Sequence, residues 1–252
     1  MNVLPTKKIY FLSDFHLGAP NVADSLVREK KVVAFLESIR HDAQIIFIVG
    51  DMFDFWYEYK TVVPKGYTRI LGKLAEITDS GIPIHFFVGN HDMWMNGYFE
   101  QEFGIPVYHQ PKVFTFNNLQ FYIGHGDGLG PADHGYKFIK KIFRNPICNW
   151  LFGQLHPTLG MGLANYFSLK SKQKTGNSDE HFLGDDKEWL LIYCKEILQM
   201  QHYDFFVFGH RHLPIDITIN TKSRYVNIGD WIRNFTYASF DGINMQLHKW
   251  QD

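Results

Sequence analysis

The chain has 252 residues, a formal net charge of −1, and 45% hydrophobic and 20% charged residues. That length buries a full core in one large α/β domain or two small ones. The composition excludes a disordered or fibrous chain, and the balanced charge gives no general affinity for polyanions.

The first apolar run, Ile9-Tyr10-Phe11-Leu12-Ser13, is read as a strand and spills into Asp14-Phe15-His16. Ala23 to Arg40 repeats apolar residues at helical spacing (Leu26, Val27, Val33, Ala34, Leu36, Ile39). Ile45-Ile46-Phe47-Ile48-Val49 is a second strand and ends at Gly50-Asp51. Tyr67 to Ser80 is read as a helix stopped by Gly81. A third strand, Ile84 to Val88, runs into Gly89-Asn90-His91-Asp92. Val113–Phe116 and Leu119–Ile123 flank Asn117-Asn118, a hairpin signal, and the second arm ends in Gly124-His125-Gly126-Asp127. Asp186 to Gln201 predicts a helix, and Asp204–Phe208 a strand running into Gly209-His210-Arg211-His212. Three strand-like runs close the chain: Ile215–Ile219, Arg224–Ile228 and Asn244–Trp250. This rhythm predicts a single α/β domain over 1–252, two layers of sheet with outer helices.

Residues 134–178 break the rhythm. They contain no Asp or Glu but hold Lys137, Lys140, Lys141, Arg144, Lys170, Lys172 and Lys174, interleaved with aromatic residues. Residues 147–169 carry no formal charge, yet Asn149, Gln154, His156, Pro157, Asn165 and three glycines make them too polar and broken to span a bilayer. An inserted basic and aromatic cap of short amphipathic helices fits better. Two cysteines, Cys148 and Cys194, make no disulfide framework, and Met1 to Lys8 lacks the layout of a secretory signal. A reducing, cytoplasmic location is expected.

Five motifs lie at the ends of apolar runs: Asp14-Phe15-His16, Gly50-Asp51, Gly89-Asn90-His91-Asp92, Gly124-His125 and Gly209-His210-Arg211-His212. The carboxyl ends of sheet strands are where α/β folds place their ligands. Carboxylate and amide oxygens mixed with imidazoles suit Mn, Fe or Zn. The donors are too many for one ion and fit two that share a carboxylate, Asp51. A lone histidine after a strand is usually a satisfied polar residue, and His41, His85, His109, His181, His202 and His248 are left as such. Five ordered motifs at strand ends are not explained that way.

In this order the motifs resemble those of the calcineurin-like metallophosphoesterases, and the match covers most of the chain. The resemblance implies two divalent metal ions. It assigns Asp14, His16, Asp51 and His212 to one, and Asp51, Asn90, His125 and His210 to the other. It further implies in-line attack on phosphorus, with His91 as the catalytic residue that stabilises the transition state or protonates the leaving oxygen. Asp92 is expected to orient the His91 ring, and Asp54 and Asp127 to stand behind the ligands.

Ser13-Asp14-Phe15-His16-Leu17-Gly18, Gly50-Asp51-Met52-Phe53-Asp54-Phe55-Trp56, His125-Gly126-Asp127-Gly128-Leu129 and Phe143-Arg144-Asn145-Pro146 look like the UDP-2,3-diacylglucosamine pyrophosphohydrolases of lipid A synthesis. That likeness implies cleavage of a UDP-linked diacyl sugar to UMP and a lipid sugar 1-phosphate. It implies Mn2+ as the metal and a peripheral position on the inner face of a bacterial membrane. Substrate contacts are expected from Asp133, Ser171, Lys174 and Arg144, and acyl-chain walls from Phe138, Ile139, Ile142, Phe143, Trp150, Leu151 and Phe152. Some relatives carry Arg where this chain has His91. Two other readings are a phosphodiesterase or phosphatase for another small phosphoester or nucleotide, and a membrane-associated binding protein with a structural metal. The apolar cap argues against the first and the complete donor set against the second. A nucleic-acid partner is not expected, because the cap is too apolar for a strand-stacking surface.

Overall fold

The computed structural model describes residues 1–131, 134–164, 166, 181, 182 and 184–251. The chain forms two sheets packed face to face with helices on their outer sides. The first sheet has the order β11-β10-β1-β2-β3-β4. Its strands are β1 (Lys8–Leu12), β2 (Ala43–Val49), β3 (Ile84–Phe87), β4 (Val107–Tyr108), β10 (Thr236–Phe240) and β11 (Met245–Lys249). The second has the order β5-β6-β7-β9-β8. It comprises β5 (Lys112–Phe116), β6 (Leu119–Ile123), β7 (Phe205–Phe208), β8 (Pro214–Asn220) and β9 (Ser223–Ile228). Within the first sheet β1 to β4 run parallel, and within the second β6, β7 and β9 do.

Both faces of the central strands are covered, which is why they are continuous apolar runs and not alternating ones. Ile9 and Phe11 of β1 face the second sheet, whereas Tyr10 and Leu12 face the helices. Between the sheets Phe11 stacks on Phe47 at 5.2 Å and on Phe121 of the opposite sheet at 6.2 Å. The helices α1 (Val22–Ile39) and α2 (Thr68–Asp79) pack Val32, Phe35, Leu36, Ile70 and Leu74 on the outer face of the first sheet. α1 also caps α2, whose own N-terminus has no side-chain cap. The buried Glu29 carboxylate accepts the Arg69 and Ile70 amides at 2.9 and 3.0 Å, satisfying donors that a helix start leaves open.

A short helix α3 (Tyr98–Phe103) precedes β4. Helices α4 (His134–Phe143) and α5 (Pro146–Gly153), and the helical residues 157–164 (α6), carry the chain off the sandwich. They dock on a ledge built by the aromatic stretch after Asp54. Tyr57 donates from its hydroxyl to the Asn149 carbonyl at 2.8 Å, Trp94 donates to the Phe143 carbonyl at 2.7 Å, and Phe152 packs on Phe55, Tyr57 and Trp94. The chain returns as α7 (Trp189–Leu198), which packs Leu190, Leu191 and Cys194 on the outer face of the second sheet. Among the described residues no helix is long and apolar enough to cross a membrane.

The expected elements are present with ends shifted by a few residues. Three were not foreseen: α3, β4 and β10. α3 and β4 are too short to show a period. β10, Thr-Tyr-Ala-Ser-Phe, lacks an apolar run, and tertiary burial between β1 and β11 makes it a strand. The polar strand ends also do not share one sheet edge. They come from both sheets and meet at one end of the sandwich.

Candidate metal centre

Each motif leaves the carboxyl end of a parallel strand. β1 delivers Asp14 and His16, β2 Asp51, and β3 Asn90 and His91; from the facing sheet β6 delivers His125, and β7 His210 and His212. To turn inward from a strand end the backbone leaves the β region. Asp14, His16, Asp51, His210 and His212 all have positive φ, between 44° and 69°. Such a conformation costs an L-residue on the order of 1 kcal/mol and concentrates at functional sites.

Asp51 sits at the centre, 1% exposed. Its Oδ2 lies 3.6 Å from His16 Nε2 and 3.3 Å from His125 Nε2. Its Oδ1 accepts the His91 amide at 2.9 Å. Around it three groups have ligand atoms within 4.8 Å of one another: Asp14, His16 and His212; His16, Asp51 and His91; and Asp51, His125 and His210. Asn90 Oδ1 lies 3.2 Å from His125 Nε2. The structure therefore brings all seven expected ligands together, with His91 beside them.

The donor set fits two divalent cations on three observations. His16 and His212 point their Nε2 atoms at each other at 3.0 Å. Asp14 Oδ1 is buried without a hydrogen bond, 3.3 Å from His212 Nε2. Two glycines hold the strand ends close enough for this. A Cβ at Gly50 would lie 2.3 Å from His125 Nδ1, and one at Gly89 would lie 2.0 Å from Asp51 Oδ1. Oxygen and imidazole donors of this kind suit Mn, Fe or Zn.

The ring orientations are fixed from behind. His125 Nδ1 donates to the Val49 carbonyl at 2.8 Å, and His16 Nδ1 lies 3.2 Å from Asp54 Oδ1. In both, Nε2 is turned into the centre. His91 is oriented differently from the expectation. Its Nδ1 donates to the Asp54 carbonyl at 2.8 Å, not to Asp92. Asp92 turns beneath the loop, fully buried, and accepts the Gly89 amide at 2.7 Å and the Met52 amide at 2.8 Å. It thus ties the ends of β2 and β3 together. Asp127 pairs with Lys140 of α4, so it links the centre to the helices above it.

Electrostatics follow from this crowding. Burial disfavours the His16 imidazolium, but Asp14, Asp54 and Asp51 outweigh it and push His16 up to about 9. Burial opposes charge on His125 as well, yet Asp51 and Asp14 push it up to about 10. Burial and the His125 charge push His210 down to about 3. Burial would raise Asp14 and Asp51; their histidine neighbours hold both well below the usual carboxylate range. Burial and the Asp51 charge raise Asp92 to about 7, against amides that favour its anion.

Several contributors carried no expectation. Arg28 of α1 donates from Nη1 to the Phe15 and His16 carbonyls at 3.0 and 2.8 Å, and nothing in its helical context signals this. The Trp231 amide donates to the Asp14 carbonyl at 3.1 Å, and Asn234 Nδ2 to the His212 carbonyl at 2.8 Å. These come from a loop opened by Gly229-Asp230 at the end of β9, a sixth strand end with the pattern of Gly50-Asp51, and that signal was legible. Arg144 lines a cleft beside His125 with His109, Asp127 and Lys140, and donates from Nη2 to the His109 carbonyl at 2.9 Å. Asp133, Ser171 and Lys174, and the side chains of Phe138 and Ile139, lie outside the described residues.

The chain is similar to known proteins along most of its length. Residues 7–214 match the profile of the calcineurin-like phosphoesterases. A UDP-2,3-diacylglucosamine hydrolase of Porphyromonas gingivalis is 40% identical over 97% of this chain and 98% of its own. One from a Shewanella species is 25% identical over 94% and 95%. Among solved structures, the phosphoesterase YfcE from E. coli aligns with a TM-score of 0.44 and 15% identity, over 92% of this chain and 87% of that one.

Two outcomes are expected. A divalent cation binds only neutral imidazole, and His16 and His125 hold protons at pH 7 in the metal-free centre. Cation uptake therefore releases about two protons, and affinity rises from pH 6 to pH 9. Calorimetric titration of Mn2+ in buffers of different ionisation enthalpy measures this, and buffer-independent heats would refute it. Asp92→Asn puts an amide N–H against backbone N–H groups. It should cost about 2–3 kcal/mol of stability in chelator-treated protein, read by denaturant melts; an unchanged midpoint would deny Asp92 its tying role.

Proposed function

The chain belongs to the calcineurin-like phosphoesterase family, and on that footing we propose that it hydrolyses the pyrophosphate bond of UDP-2,3-diacylglucosamine to UMP and 2,3-diacylglucosamine 1-phosphate, a step of lipid A biosynthesis. The observation that carries this reading is the near-full-length likeness to UDP-2,3-diacylglucosamine hydrolase, 40% identical over 97% of the chain. The enzyme is a metal-dependent hydrolase of phosphoric anhydrides.

Asp14, His16, Asp51 and His212 would hold one cation and Asp51, Asn90, His125 and His210 the other; Mn2+ is the proposed metal, and mixed oxygen and imidazole donors suit Fe or Zn as well. When bound, the two cations polarise the phosphoryl oxygens and supply a nucleophile at neutral pH. The chain's own groups do the rest. Asp54 holds His91 through Nδ1–H, which leaves Nε2 as the nitrogen available to the leaving oxygen; as imidazolium it would pass that oxygen its Nε2 proton and revert to the neutral ring. Asp92 keeps the Asp51 and Asn90 loops in register. Arg144, which lines the cleft beside His125, is the proposed contact to a phosphate oxygen, and Asp133, Ser171 and Lys174 are the further proposed substrate contacts.

The helices α4 to α6 suit an acylated substrate at a membrane surface on the cytoplasmic side. Half of the large hydrophobic side chains that are exposed among the described residues lie between 142 and 166, including Ile147, Trp150, Leu151 and Leu159. A patch of this kind on a protein surface marks a lipid or partner contact. The basic residues of the segment do not all face outward. Lys140 turns inward to Asp127 and Lys137 to the Gly130 carbonyl, while Lys141 is exposed. Among the described residues, apolar insertion is therefore the proposed anchor.

With Mn2+ in detergent, UMP release from UDP-2,3-diacylglucosamine should far outpace cleavage of a generic chromogenic phosphodiester. The reverse order would move the natural substrate elsewhere. His91→Ala should lower kcat by roughly 10²–10⁴-fold with little change in KM, and near-normal kcat would remove its role. Trp150→Ser with Leu151→Ser should weaken partition onto anionic vesicles by roughly tenfold or more; sedimentation showing no change would discard the anchor.

A further inference from the structure

Arg211 separates His210 from His212, yet its side chain is 3% exposed and turns away from the metal centre. Behind the loop, its Nε lies 3.2 Å from both Oε1 and Oε2 of Glu188, which is fully buried. Glu188 Oε1 also accepts the Tyr225 hydroxyl at 3.2 Å. Asn227 Nδ2 donates to the Gly209 carbonyl at 2.5 Å, and Arg211 Nη2 donates to the His181 carbonyl at 3.3 Å. The residue after Glu188, Trp189, sets its ring edge-on to His210 at 5.4 Å, with the Arg211 guanidinium 6.0 Å from the same ring.

A buried ion pair adds little net stability, because desolvating two charges consumes most of their attraction. A pair of apolar side chains would fill this space at less cost. What the pair does add is direction. His210 and His212 both sit at positive φ, 69° and 52°, a conformation that an unanchored loop leaves for ordinary backbone. We propose that Glu188 and Arg211 form a positioning pair for the metal centre. By clamping the residue between the two histidines, it holds His210 against Asp51 and His125 and sets the affinity of that cation site. His212 has a separate anchor, Asn234 Nδ2 on its carbonyl at 2.8 Å, so the site of Asp14, His16 and His212 depends on the pair far less. This deepens the two-cation reading above and rests on it.

The experiment is calorimetric titration of chelator-stripped full-length protein with Mn2+. It compares the wild type, Glu188→Gln, and the double variant Glu188→Leu with Arg211→Met. The expected result is two binding steps in the wild type. In both variants one step weakens by roughly tenfold or more and the other is little changed. The double variant should melt near the wild-type temperature, since the apolar pair satisfies packing alone. A purely structural pair predicts instead that metal binding follows stability. A double variant that melts like the wild type and keeps both steps would overturn the proposal. If the double variant does not fold, Glu188→Gln decides by the same criterion, and two unchanged steps there would also overturn it. A wild type that binds fewer than two Mn2+ would overturn the two-cation reading and the role of the pair with it, whereas intact wild-type binding with unchanged variants defeats the pair alone.

Discussion

The architecture depends on burying one carboxylate. Asp51 is almost inaccessible to solvent at the point where strand ends from two sheets meet. An anion there is tolerable only with opposite charge against it. Imidazoles from β1 and β6 approach its Oδ2 within 3.6 and 3.3 Å, and the His91 amide covers its Oδ1. Gly50 and Gly89 are required because any side chain on either would occupy the place of His125 or of Asp51 itself. Bound divalent cations would relieve the same crowding, since their charge would stand against the carboxylates in place of imidazolium protons.

The site is held against a conformational cost. Five of the expected ligands lie at positive φ, each at on the order of 1 kcal/mol. The phenylalanine-rich interior offsets this, because burying one such side chain contributes about 1.5–3 kcal/mol, and Phe11, Phe47, Phe87 and Phe121 are all buried between the sheets. Backbone anchors then hold each turn: Arg28 on the Asp14–His16 turn, Asp92 across the Asp51 and Asn90 turns, and Asn234 on His212. Most of these anchors join elements far apart in the chain, so a folded sandwich is the precondition for the site.

The helices above the site show how one segment serves two environments. Phe152, with Tyr57 and Trp94, forms the ledge that fixes the segment to the sandwich, while Trp150 and Leu151 face outward. Lys140 reaches down to Asp127 beside His125. The exposed apolar face and the face that packs toward the metal centre are thus two sides of the same short helices.

The sequence by itself determined the strand runs, their continuous apolar character and the order of Asp, His and Asn at their ends. These are properties of neighbouring residues, and periodicity reports them directly. It also determined that the site would be built of carboxylates and imidazoles. Only the tertiary structure decided which groups touch. His16 and His212 meet across 196 positions of chain, and Asp54, not the adjacent Asp92, takes His91. Lys140 turns inward to Asp127, and Arg211 turns from its own motif to Glu188. Each of these depends on how two sheets pack at a distance, and a carboxylate or a lysine has the same local signature whether its partner lies one residue or two hundred away.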